Sequence, residues 1–180
     1  MIKKKIIAFG ASNSKKSINK AFANYTANQI PESEVEILDL NDYEMPIYGI
    51  DYEEVNGIPK LAHEFKERLH TSDGIIISFV EHNGAYSVAF KNIFDWISRI
   101  ESDVWYNKPM LLLGTSPGGR GASTVLETAV NKIGRMTTGG VVDFSLPSYF
   151  QNFNPKNGIT DEALKSEYTH KINQFSTSLK

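Results

Sequence analysis

The stretch GASNSKKSINK, Gly10 to Lys20, places Ser12, Ser14, Ser17 and Asn19 around Lys15 and Lys16, directly after the apolar run Ile6–Phe9. A loop that enters a helix offers free backbone N–H groups and the positive end of the helix dipole, so these residue types suit an anion such as a phosphate. Serine and asparagine also begin helices for capping alone, and the stretch by itself fits either role. It lacks the second glycine and the Gly-Lys-Ser/Thr ending of a Walker A loop, and it is not a G-x-G-x-x-G fingerprint. A nucleoside triphosphate is therefore disfavoured.

Two further stretches could do chemistry. In FVEHNGAYSVAFKNIFDW, Phe79 to Trp96, the polar residues Glu81, His82 and Asn83 follow an apolar run, and Gly84 would let a ligand or backbone come close. His82 is a candidate general base, although a histidine here also reads as a plain turn residue. Lys91 and Asp95, four apart, would pair along a helix face. In TSPGGRGASTV, Thr115 to Val125, Gly118, Gly119 and Gly121 present main chain rather than side chains, which suits a flat ring or an anion. A flexible glycine turn is the plainer alternative. The chain has no cysteine, which removes disulfides, thiolate metal sites and cysteine nucleophiles and suits a reducing, cytoplasmic setting. No metal site is expected, and any redox chemistry must be borrowed from a cofactor.

The elements that position these stretches are legible from periodicity. Ile18, Phe22, Tyr25 and Gln29 predict a helix over about Ser17–Ile30, closed by Pro31, and VEILDL predicts an edge strand over Val35–Leu40. Leu61, Phe65 and Leu69 predict a helix over Pro59–His70. GIIISF (Gly74–Phe79) and MLLLGT (Met110–Thr115) read as strands covered on both faces, as in parallel sheets. Val88, Phe90, Ile93, Phe94, Ile97 and Ile100 predict one helix, and Val125, Leu126, Ala129, Val130 and Ile133 another. A fifth strand falls around Thr138–Phe144, and a last helix, capped by Thr160, buries Leu164, Tyr168, Ile172, Phe175 and Leu179. Strands alternating with helices predict a three-layer α/β sandwich with right-handed crossovers. Ligands in such folds bind outside the carboxyl ends of the strands, where all three polar loops fall.

The 180 residues suit one domain, 1–180, and a formal charge of -2 gives no basic field for nucleic acid. Ile6–Phe9 is too short for a secretory h-region and Gly10 breaks it, so MIKKKIIAFGAS reads as a first strand with lysines at its start. No segment has the apolar length of a membrane span. The stripe of Ile93, Ile97 and Ile100 with Trp96 and Trp105 nearby exceeds what one helix needs against a sheet, which suggests a homodimer.

These motifs together resemble the NADPH-dependent FMN reductase family of flavodoxin-like proteins, which includes quinone, chromate and azo-dye reductases. ASNSKKSIN is similar to the family's phosphate loop, G-S-x-R-x-x-S-x-N. VEHN with FKNIFDW is similar to P-E-Y-N followed by L-K-N-x-x-D-W, SPGGRGA to its glycine-rich third loop, and LDLNDYEMPIY to its connection after strand two. The resemblance covers nearly the whole chain and implies a flavodoxin-like five-stranded parallel sheet of order 2-1-3-4-5. It implies bound FMN, with Ser12, Ser14, Lys15, Ser17, Ile18 and Asn19 at the phosphate. Val80, Glu81, His82 and Asn83 would run along the ring and ribityl chain, and Ser116, Pro117, Gly118, Gly119 and Gly121 would border the other side. It further implies ping-pong hydride transfer at flavin N5 from NAD(P)H to a flavin, quinone or similar acceptor, in a homodimer or tetramer. A flavodoxin-like electron carrier and a flavin-binding sensor without turnover are the alternatives; the chain lacks the T-x-T-G-x-T loop and strong acidity of true flavodoxins. Three positions depart from the family pattern: its arginine is Ser14, its proline Val80 and its tyrosine His82. Without the arginine there is no bidentate phosphate partner, and Lys15 would replace it only as a point charge. Lys15→Ala is accordingly expected to weaken FMN retention more than Lys16→Ala.

Overall fold

The computed structural model describes residues 3–179, so Met1 and Ile2 of the expected first strand lie outside it. Five parallel strands form one sheet in the order β2-β1-β3-β4-β5. These are β1 (Lys4–Ala11), β2 (Ser33–Ile37), β3 (Gly74–Phe79), β4 (Met110–Thr115) and β5 (Val141–Leu146). The order predicted from the family resemblance is the order observed. In register, Ile6 to Ala11 of β1 pair with Gly74 to Phe79 of β3, so these strands end side by side. The order reverses between β1 and β3, which makes a crevice outside their carboxyl ends.

Successive residues of a strand face opposite layers, and here both layers are apolar. Ile6, Ala8, Ile76, Leu111 and Leu113 face one core with Phe22 of α1 (Ile18–Ala27) and Ile172 and Phe175 of α7 (Glu162–Ser178). Ile7, Phe9, Ile75, Ile77 and Leu112 face the other. That side is covered by α3 (Lys60–His70), α4 (Val88–Ile97) and α5 (Ser123–Ile133). Phe90 of α4 stacks on Phe9 and meets Phe79 edge-on with ring centroids 5.2 Å apart, fixing where α4 begins relative to the strand ends.

Several boundaries differ from the predicted ones, each for a local reason. β2 starts earlier and stops at Ile37, because the Asp39 carboxylate accepts from the Asn41 amide and starts a 3₁₀ turn over Leu40–Tyr43. β5 begins at Val141 rather than Thr138: the Thr138 amide and hydroxyl both donate to Asn107 Oδ1, which holds that residue in a turn. The last helix is capped by Asp161, whose carboxylate accepts from Leu164 N, while the Thr160 hydroxyl donates to Gln151 O instead. Gln29 and Val88 are exposed and do not belong to the apolar faces assigned to them. Helix α2 (Ile50–Asn56), the short helix α6 (Tyr149–Asn152) and the hairpin of β6 (Phe153–Asn154) with β7 (Gly158–Ile159) are additions to the predicted plan.

Candidate functional site

The first loop is built around a close approach. A Cβ at Gly10 would lie 2.4 Å from the Lys20 amide nitrogen, so α1 can lean against the end of β1 only because residue 10 has no side chain. Ser17 caps α1, its hydroxyl accepting from Lys20 N at 3.1 Å, and the Ser12 hydroxyl accepts from Ser14 N. With Ser17 N bonded to Ser14 O, the amides of Asn13, Lys15, Lys16, Ile18 and Asn19 have no hydrogen-bond acceptor among the described residues. Five unpaired N–H groups beside a helix N-terminus form a cradle that suits a phosphate. Ile18 belongs to it through its backbone.

The Asn19 side chain has a structural part in addition to the amide that Asn19 contributes to the cradle. The residue is buried, and its side chain is fully engaged by the protein: Nδ2 donates to Thr115 O at 3.1 Å, and Oδ1 accepts from Ser78 Oγ and Thr115 N. It ties α1 to the ends of β3 and β4 and leaves only its amide for a ligand. The Lys15 side chain and that of Lys16 line the same groove, and neither has an ion-pair partner among the described residues.

The second loop is a tight hairpin. His82 and Ala85 exchange both backbone hydrogen bonds at 3.0 Å, and Asn83 and Gly84 between them have φ of 53° and 75°. An Asn-Gly pair with two positive φ angles is the signature of a type I′ turn. Gly84 therefore serves the turn and not a close approach, since an added Cβ would meet only Thr124 at 3.9 Å. The hairpin leaves Val80 half-buried and the His82 ring exposed, without a hydrogen bond among the described residues. The Glu81 carboxylate is engaged by the protein, accepting from Val125 N at 3.0 Å. That bond caps α5, whose own N-cap residue, Ala122, has no side chain to do so.

The third loop is open. An added Cβ on Gly119 would meet nothing within 4 Å, and one on Gly118 only the Ser116 hydroxyl at 4.0 Å. The amides of Gly118, Gly119 and Arg120 are unpaired among the described residues. Gly121, with φ of 57°, is the strict glycine, because a Cβ there would collide with Ser145 Oγ at 2.5 Å. Ser116 and Gly118 accept from Tyr149 N and Ser148 N through their carbonyls, which pins the loop to α6, and Pro117 lies exposed at its tip.

Two residues the sequence reading passed over hold these loops together. Ser87 caps α4 and donates from its hydroxyl to Ala11 O at 2.7 Å, joining the second loop to the first. Ser78 is the lone hydroxyl in an otherwise apolar buried strand, and such a group needs a partner, which is Asn19. Beneath the hairpin, burial pushes the Tyr86 phenol up to about 12, so it stays neutral. A cavity of about 290 Å³ opens between Asn13, His82, Ser87 and the Leu40–Ile47 segment, and a larger groove of about 720 Å³ runs along the other side of the first loop. Among the described residues no cluster of three or more acidic or histidine side chains could hold a metal ion.

The model of the family described as NADPH-dependent FMN reductase matches residues 4–151. The chain belongs to that family. Among its relatives, a 2-hydroxy-1,4-benzoquinone reductase from a Burkholderia species is 31% identical over 121 residues, 66% of this chain and 64% of that protein. An NADPH:quinone oxidoreductase from Arabidopsis thaliana is 30% identical over 100 residues, 55% of this chain and 49% of that one. The matched stretches thus span 64% and 49% of those relatives' own length. The solved structure of FerB, a flavoenzyme NAD(P)H:(acceptor) oxidoreductase from Paracoccus denitrificans, superposes with a TM-score of 0.74 at 24% identity, covering 98% of this chain and 97% of that one. That likeness is one of fold.

Proposed function

We propose that the chain, working as one domain over residues 1–180, is an NAD(P)H-dependent reductase that binds FMN and passes a hydride to a small oxidised acceptor, a flavin or quinone. The observation that carries this reading is the meeting, at the β1/β3 crevice, of a cradle of unpaired amides with an open glycine shelf. A phosphate fits the cradle: its donors are main-chain, the helix dipole is favourable, and the nearby Glu81 carboxylate is held at α5. The Ser12, Ser14 and Ser17 hydroxyls and the amides of Asn13, Lys15, Lys16, Ile18 and Asn19 would hold the phosphate group. The hairpin from Val80 to Asn83 and the shelf from Ser116 to Gly121 would border the ring.

When bound, FMN supplies the hydride chemistry, which no side chain here can supply. The chain's contribution is position and charge. Unpaired amides of Gly118, Gly119 and Arg120 are the donors available to an electron-rich ring edge. Donor and acceptor would use the same open face in turn, in ping-pong order. His82 lines the smaller cavity, where it can contact an acceptor, but no partner among the described residues orients it as a general base.

No helix among the described residues is long and apolar enough to cross a membrane. A cytoplasmic setting, which suits a cysteine-free chain, belongs to this reading, and so does a homodimer. The stripe first suggested as its interface is absorbed within one chain, since Ile93, Trp96, Ile97 and Trp105 are all buried. Ile47 and Val55, 77% and 82% exposed, with Ile50 and Val88, are better interface residues.

The test is the absorption spectrum of the purified, FMN-loaded protein under anaerobic NADPH and, separately, NADH. Bleaching of the flavin band, followed by its return when a quinone is added, is expected. A band unchanged by either nucleotide would overturn the reductase, and a band that bleaches but turns over no quinone would favour the electron carrier.

A further inference from the structure

The groove of about 720 Å³ begins at the first loop and runs along the outer side of α1, away from the His82 cavity. Its cationic rim is Lys15 and Lys16, neither of which has an ion-pair partner among the described residues. Lys20 also lines it, but its ammonium is taken by Asp39. No carboxylate lines the groove among the described residues. Ile18 and Ile37 add apolar lining, and Tyr149, Phe150 and Phe153 add aromatic lining.

Phe150 is the unusual member of that aromatic lining. Tyr149 and Phe153 are buried against each other and the α1 layer, whereas Phe150 is 71% exposed and, among the described residues, its ring contact is an edge-to-face one with Tyr149, at 5.3 Å between centroids. An exposed ring in a groove that two lysines without ion-pair partners among the described residues also line, with no carboxylate among its lining residues, is complementary to a planar aromatic group that carries phosphate. The groove is also continuous with the proposed flavin site. Ser17 and Ile18 belong to both, and Tyr149 donates its amide to Ser116 O of the glycine loop.

We propose that this groove takes the 2′-phosphorylated adenosine end of NADPH, with the adenine against Phe150 and the 2′-phosphate between Lys15 and Lys16, and that it makes the protein prefer NADPH over NADH. This rests on the reading that the donor is a nicotinamide dinucleotide. The site itself can be tested without that chemistry, because 2′,5′-ADP carries the recognised groups and no nicotinamide. Calorimetric titration of the FMN-loaded protein with 2′,5′-ADP, 3′,5′-ADP and 5′-AMP should give at least tenfold tighter binding of 2′,5′-ADP than of the other two. Lys16→Ala should lower 2′,5′-ADP affinity about tenfold with little effect on 5′-AMP. Phe150→Ala should weaken all three nucleotides while leaving the FMN dissociation constant unchanged. Equal affinities for the three nucleotides, no binding at millimolar concentration, or loss of FMN in step with loss of 2′,5′-ADP in Phe150→Ala would each overturn the assignment. A protein that binds 2′,5′-ADP selectively yet is not reduced by NADPH would retain the site and refute the reductase reading instead.

Discussion

Asn19 shows how much of a ligand site can depend on a residue whose side chain touches no ligand. Its amide group bridges Thr115, 96 positions away, and Ser78, and it is the direct side-chain link between α1 and the ends of β3 and β4. Removing it leaves a buried carbonyl, a buried amide and a buried hydroxyl to find new partners, each at a cost of about 1–3 kcal/mol where none is available. Asn19→Ala is therefore expected to lower unfolding stability by about 2–4 kcal/mol in urea titration. Asn19→Asp is expected to cost more, because a carboxylate would face the Thr115 carbonyl where an N–H now points. A change under about 0.5 kcal/mol in both would mean the bridge is dispensable. The residue types of this site were legible, because serine, asparagine and glycine concentrate in three short stretches. The partners were not, since a bond between residues 19 and 115 exists only once β1 and β4 lie in one sheet on either side of β3.

The K-N-x-x-D-W portion of α4, the most specific part of the family resemblance, proves to be a clamp on a neighbouring segment. Asn92 accepts from Tyr48 N and donates to Met45 O and Pro46 O, and Trp96 Nε1 also donates to Pro46 O, at 2.7 Å. Arg99 then pairs with Glu53 of α2, and Tyr52 packs its ring edge-on against Trp96. Lys91 and Asp95 pair with each other, as their spacing predicts. Helix α2 buries no residue of its own, so it lacks the apolar period that made α1, α3, α4 and α5 readable. Its position depends on this clamp, and so does one wall of the smaller cavity. Asn92→Ala should consequently raise amide hydrogen exchange across residues 45–56 by tenfold or more while leaving β3 and β4 protected. Equal acceleration across the sheet would show that Asn92 supports the whole fold and not the segment.

Across the whole molecule, the five-strand plan was legible because β3 and β4 are apolar on both faces and the helices between them keep their period; the assembly was not. An apolar stripe on a helix does not say what covers it, and here one chain's own sheet and loops cover Ile93, Trp96 and Ile97. Phe150 apart, the exposed large apolar residues instead fall in the segment 47–55, where the clamp holds α2, and at the start of α4, with Ile47 and Val88 both lining the smaller cavity. Each such side chain contributes roughly 1.5–3 kcal/mol when fully buried, so a second copy seated on this surface would gain several kcal/mol and close one side of the cavity. The double substitution Ile47→Glu with Val55→Glu places two charges there without entering either core. Sedimentation velocity should show a dimer for the unsubstituted protein and a monomer for the double variant at the same concentration, with thermal unfolding of the variant still cooperative. An unsubstituted protein that sediments as a monomer, or a variant that remains dimeric, would remove α2 and the start of α4 from the interface and leave these side chains free to meet an acceptor at the cavity rim.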